Sequence, residues 1–109
     1  MLFSNGIIKG ASEMIVLNAL KENGSSYGYQ LIKHIKSESA EIFEFEEGTL
    51  YPILYKLEEK NFVTSFIKEA PSGKKRKYYE ITDEGGKFLK DRKLEFGFFF
   101  KGLKNILSN

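Results

Sequence analysis

Leu89, Phe96 and Leu103 stand seven residues apart, and Phe99 and Ile106 repeat that spacing three positions further on. On a helix this is the a/d seam of a coiled coil, with Arg92 interrupting one d position. Phe98 and Phe100 widen the apolar surface. Three short helices and a hairpin cannot cover a terminal helix this apolar, so the pattern asks for a second copy of the chain. Gly97 and Gly102 each lower helix propensity by ~1 kcal/mol and leave room for close helix approach or a ligand. At 109 residues the chain has the length of one domain, so the seam makes two chains the expected working unit.

Three shorter helical patterns precede the seam. The first runs from about Gly6 to Lys21, capped by Ser4 or Asn5 and ended by Asn23-Gly24. Its apolar face is Ile8, Ala11, Ile15 and Ala19, widened by Met14, Leu17 and Leu20. The second starts at Ser26 as N-cap, runs to about Ser37, and carries Gly28, Leu31, Ile32 and Ile35 on its inner stripe. The third spans about Glu47 to Lys60, with Leu50, Ile53, Leu54 and Leu57 at i, i+3, i+4, i+7 spacing. Pro52 requires this helix to begin late or bend. Gly48, Pro52, Tyr55 and Glu59 point away from the buried stripe, flanked by Thr49, Tyr51 and Lys56.

The period then changes. Val63–Ile67 and Arg76–Thr82 are β-branched and aromatic, and Ala70-Pro71-Ser72-Gly73 between them is turn chemistry. The hairpin bears Lys74-Lys75-Arg76-Lys77 at its tip or on its returning strand. Tyr78 and Tyr79 alternate across that strand, so one packs inward and the other faces out. Thr82 caps the last helix, with Asp83 and Glu84 in its first turn.

The net charge of +2 hides an asymmetry. Residues 1–70 hold 7 Lys and 10 Glu, a net −3, whereas residues 71–109 hold 8 Lys, 2 Arg and 5 acids, a net +5. A cationic hairpin in a nearly neutral chain points to a polyanion on one side of the molecule. The five acids from Glu38 to Glu47 read as a solvated connection. Several classes are excluded. Without cysteine there is no disulfide or thiolate metal site, and the single histidine argues against a His-based metal site or a catalytic triad. His34 reads as an exposed helix residue without a function, and no cofactor, metal or enzymatic activity is expected. The longest run without a charged side chain, Asn23–Ile32, has 10 mostly polar residues, whereas a membrane-spanning helix needs about 20 apolar ones. The start of the sequence lacks a secretory pattern, and the expected location is cytoplasmic.

The expected fold is mainly α with a small β-hairpin. Helix–helix–helix–hairpin–helix is the order of a winged helix-turn-helix with a long C-terminal dimerisation helix. Residues 1–82 form the winged helix-turn-helix and 83–109 the dimerisation helix, in one compact unit. In this arrangement the third helix reads the major groove and the cationic wing holds phosphates.

The sequence resembles the PadR-like transcriptional regulators. The likeness rests on Tyr27-Gly28-Tyr29-Gln30-Leu31, on the stretch from Glu47 to Glu58 (EGTLYPILYKLE), and on Arg76 to Gly85 (RKYYEITDEG). The short length resembles the subgroup with a single C-terminal dimerisation helix. The resemblance implies a homodimeric repressor on a roughly palindromic double-stranded operator, released in some members by an aromatic compound at the dimer interface. The family commonly has Arg where Lys56 stands and Gly where Asn61 stands. In the drug-sensing branch a Trp stacks on the ligand; Phe96 occupies the nearest matching position here.

Tyr27, Gly48, Thr49, Tyr51, Pro52, Tyr55 and Lys56, with Gly73, Lys74, Lys75, Arg76 and Lys77 of the wing, are therefore the expected DNA contacts. Of Tyr27 and Tyr29, Tyr27 is favoured for a phosphate and the other packs. The dimer seam is Leu89, Phe96, Phe99, Phe100, Leu103 and Ile106. A small, planar aromatic effector is expected near Met14, Phe96 and Phe100. Two alternatives remain: a winged-helix module that binds proteins, and a membrane-surface anchor built from Phe96–Leu107.

Overall fold

The computed structural model describes residues 5–108, so the Ser4 cap lies outside the described residues. Helix α1 spans Asn5–Asn23. It packs against the three other helices and the returning strand of the hairpin, and is therefore buried around much of its circumference. Val16, Leu17, Ala19 and Leu20 are at most 2% exposed, while Ile8, Ala11 and Ile15 are only half-buried. The expected stripe is thus rotated toward Val16, because several neighbours rather than one flat core surround the helix. Gly24, at φ 77°, ends α1 with its N–H donating to the Leu20 carbonyl.

Ser26 is not an N-cap. Ser26–Tyr27 is a short strand, β1, that pairs antiparallel with β3. The Ser26 hydroxyl donates to the Gly24 carbonyl at 2.9 Å and accepts from Asn23 Nδ2 at 3.0 Å, so it is spent on the turn. Helix α2 starts two residues later and spans Gly28–Glu38; Gln30 Oε1 accepts the Tyr27 N–H at 3.1 Å. A Cβ at Gly28 would collide with the Tyr51 hydroxyl, so glycine lets α2 and α3 approach.

Helix α2 closes in a Schellman turn. The Glu41 N–H donates to the Lys36 carbonyl and the Ala40 N–H to the Ser37 carbonyl, with Ala40 at φ 52° and Glu41 at φ 67°. Ala40 occupies the left-handed position that glycine tolerates best. Ala40→Gly is expected to stabilise the protein by about 0.5–1 kcal/mol, seen as a higher denaturant midpoint at unchanged slope.

Helix α3 spans Glu47–Glu59 and runs through Pro52, so it does not begin late. The proline has no N–H to offer the Gly48 carbonyl, and both residues lie on the exposed face of the helix. Asn61, at φ 63°, supplies the left-handed residue of a second Schellman turn, with the Phe62 N–H donating to the Leu57 carbonyl. Strands β2 (Val63–Glu69) and β3 (Lys75–Ile81) form the hairpin, and the sheet order is β1-β3-β2. The sheet has three strands rather than two, because β1 adds to the free edge of β3. Gly73 closes the tip at φ 87°, its N–H donating to the Ala70 carbonyl.

Helix α4 spans Asp83–Leu107. Thr82 Oγ1 accepts the Gly85 N–H at 3.0 Å and donates to the Asn61 carbonyl at 2.7 Å, fixing the helix start to the end of α3. Phe88 stacks on Phe62 at 4.4 Å, and Leu89 is 1% exposed. Leu89 belongs to the chain's own core and cannot offer itself to a second copy. The exposed part of the seam starts at Phe99, with Phe96 half-buried before it. The core joins Leu17, Leu20, Leu31, Leu50, Leu54, Leu57, Val63 and Tyr79, residues of all the long elements except α4, which adds Leu89.

Candidate nucleic-acid interface

Leu50, Leu54 and Leu57 of the inner stripe of α3 are buried and Ile53 half-buried, which turns Gly48, Thr49, Pro52, Tyr55 and Lys56 outward into solvent. Tyr51 is half-buried against Gly28, its ring 6.1 Å from that of Tyr55. Burial pushes its phenol pKa up, helped by Glu47 and then Tyr55.

The cationic run is divided by the alternation of β3. Lys75, Lys77 and Tyr79 share the side facing the helices; Arg76 and Tyr78 share the other. Lys74, Lys75 and Lys77 are exposed, and Lys74 sits in the tip. The Lys77 ammonium lies 5.6 Å from the Tyr55 ring and 5.5 Å from the Tyr79 ring. It joins the wing to the outer face of α3, within cation–π range. Tyr79 is the inward tyrosine of the pair. Among the described residues its hydroxyl has no hydrogen-bond partner, and burial, with Tyr55, Glu58 and Tyr51, pushes its pKa up to about 12.

That orphan hydroxyl makes a specific prediction. Removing it in Tyr79→Phe is expected to leave stability unchanged or raise it by up to about 1 kcal/mol at neutral pH. The sign of the pH effect follows from the raised pKa. The unfolded phenol ionises first, near 10.0, so Tyr79 costs the wild type stability as pH climbs from there toward about 12. Denaturation between those pH values is expected to be less pH-dependent in the variant.

On the other side of the sheet Tyr27 packs edge-on against Tyr78 at 5.4 Å, and the Arg76 guanidinium covers Tyr27 at 4.4 Å. Phe66 stacks on Tyr78 at 5.7 Å. Tyr27 is therefore the packed member of the Tyr27/Tyr29 pair, the reverse of the expected assignment. Tyr29 is 57% exposed with the Lys33 ammonium 5.5 Å from its ring. Lys33 was not among the expected contacts; its spacing four residues after Tyr29 on α2 was the available signal.

The described residues of α4 beyond Phe96 stand largely clear of the chain. Phe99 is 54% exposed, Phe100 58%, and Leu103, Ile106 and Leu107 are also exposed. Phe96 and Phe100 lie 5.6 Å apart and line an apolar cleft of ≈ 730 Å³ with Ile7, Ile8, Ala11 and Leu103. Met14 lines neighbouring grooves rather than this cleft. Among the described residues no helix is long and apolar enough to cross a membrane.

A helix-turn-helix followed by a β-hairpin packed at its flank defines a winged helix. Three comparisons place it further. The Transcriptional regulator PadR-like family matches residues 16–91. A transcriptional regulator from Clostridium thermocellum has the same architecture, with a TM-score of 0.85 and 32% identity over 94% of this chain and 98% of its own. A PadR-like transcriptional regulator from Bacillus cereus gives 0.80 and 28% identity over 95% and 98%. An uncharacterised Lysinibacillus sphaericus protein is 33% identical over 85 residues, 78% of this chain and 77% of its own length. The chain belongs to the PadR-like family of transcriptional regulators.

Proposed function

We propose that the protein is a cytoplasmic, non-enzymatic repressor that binds a roughly palindromic operator as a homodimer and is released by a small aromatic effector. The observation that carries this reading is Lys77, whose ammonium sits over Tyr55 and so sets the cationic wing beside the outward face of α3. Residues 1–82 act as the reader, with Thr49, Tyr55 and Lys56 at the groove and Lys74, Lys75 and Arg76 at phosphates. Residues 83–109 join two chains through Phe96, Phe99, Phe100, Leu103 and Ile106, setting two readers about 34 Å apart. The effector lies against the half-buried Phe96 and the exposed Phe100, whose rings offer a planar ligand two stacking faces.

Selection of bound fragments from genomic DNA by the purified protein tests this directly. The expected result is one enriched, two-fold symmetric motif with half-sites about one helical turn apart. Absence of retention on any duplex at low salt would remove the DNA reading and leave a protein-binding winged helix. Calorimetry with a panel of aromatic compounds tests the effector; no heat and no DNA release would leave Phe96 and Phe100 a packing role only.

A further inference from the structure

Glu22, His34 and Glu38 take no part in the contacts above. The fold half-buries His34 between α1 and α2 instead of exposing it. Its Nε2 is shielded from solvent and has no hydrogen-bond partner among the described residues, a costly state for a ring nitrogen. Glu22 Oε1 stands 3.6 Å away, too far for a hydrogen bond. Glu38 follows His34 by four residues, on the same face of α2. One donor atom from each of the three lies within 4.8 Å of the others. The Glu22 carboxylate is itself held by Asn18 Nδ2 at 2.9 Å, the outer-shell support that fixes a ligating carboxylate. All three line a groove of ≈ 380 Å³ shared with Met14, Ile15 and Phe43.

We propose that Glu22, His34 and Glu38 bind a first-row divalent cation that ties α1 to α2. One imidazole nitrogen and two carboxylates, with no thiolate, suit Zn²⁺, Co²⁺ or Mn²⁺ better than the oxygen-only preference of Ca²⁺ or Mg²⁺. The 3.6 Å between His34 and Glu22 is close to the ~3.4 Å edge of a tetrahedron with ligands about 2.1 Å from the metal. Glu38 and Glu22 are exposed, which leaves a route of entry and open positions for water. Lys93 also lines the groove. Against the two carboxylates of Glu22 and Glu38 it leaves a negative charge that attracts a dication. The cation would join the first helix of the helix-turn-helix to the helix that packs on α4.

The test is titration of the metal-free full chain with CoCl₂ and with ZnCl₂. One saturable equivalent per chain is expected, with a visible Co²⁺ band from a nitrogen-containing site and a thermal midpoint raised by Zn²⁺. His34→Gln, Glu38→Gln and Glu22→Gln should each weaken binding by at least about tenfold and remove the thermal shift. The two glutamate variants are at exposed positions, so they keep the test valid if His34→Gln does not fold. No saturable binding up to millimolar metal, or equal affinity in all three variants, overturns the proposal.

Discussion

Replacing Lys74 and Lys75 by alanine removes two phosphate contacts per protomer, four per dimer, and is expected to flatten the dependence of log K on log[salt] by ~3.6 and to weaken binding to any duplex roughly 1000-fold at 0.15 M salt. Both side chains are exposed on the wing, where a lysine contributes by displacing condensed counterions rather than by reading bases. Each lost phosphate contact removes ~0.9 from the slope, and extrapolation to 1 M salt, where the ionic contribution vanishes, gives the affinity change. The preference for one sequence over another should be unaffected. Thr49→Ala should behave in the opposite way, with little change in slope and discrimination reduced by about 1–3 kcal/mol if it contacts a base edge. Arg76→Ala mixes two effects, because its guanidinium also covers Tyr27. Fluorescence anisotropy of labelled operator and scrambled duplexes across a salt series separates these outcomes. An unchanged slope in the double lysine variant would take the wing away from the phosphates.

Gly85→Ala is expected to cost about 2–3 kcal/mol, a large share of the stability of a domain this size. A Cβ there would overlap the Phe62 carbonyl oxygen and press on Ile81. The carbonyl cannot withdraw easily, because it accepts the Thr82 N–H at 3.0 Å while the Phe62 N–H is held by the Leu57 carbonyl at 2.9 Å. The thermal midpoint should fall by roughly 8–20 °C. The neighbouring Gly86→Ala is the control. None of the described residues beyond its own helix backbone and chain neighbours lies within 4 Å of its added Cβ, and alanine should stabilise the helix by about 0.5–1 kcal/mol. Equal stability of Gly85→Ala and wild type would show that the junction of α3, β2 and α4 is looser than these hydrogen bonds imply.

Much of the architecture was legible in the chain. Leu50, Leu54 and Leu57 are spaced for one helix face, and all three are buried. Thr82 caps α4 as its side chain and the following acids suggest. These features depend on neighbours within a few residues, so their sequence signal is direct. The misses have a common cause. Ser26 looked like a cap because serine is a good one, yet its hydroxyl serves a turn and its backbone joins a strand more than fifty residues away in sequence. Leu89 fits the seam by spacing, yet it is buried in the chain's own core.

The candidate interface divides in the same way. The outward set on α3 follows from helical geometry once the buried stripe is known. Which tyrosine packs does not, because Tyr27 and Tyr29 are chemically identical. Pairing of β1 with β3 places Tyr27 against Tyr78 and Arg76, leaving Tyr29 on the open face of α2.

By itself, then, the order of periodicities determined a winged helix, and the cluster of cations determined where its charge lies. Only the tertiary structure decided that Lys77 reaches α3, that Leu89 is internal, and that His34 faces two glutamates. Periodicity encodes which side of an element is apolar, a local property. Which distant group meets that side depends on packing between elements, where identical residues acquire different neighbours.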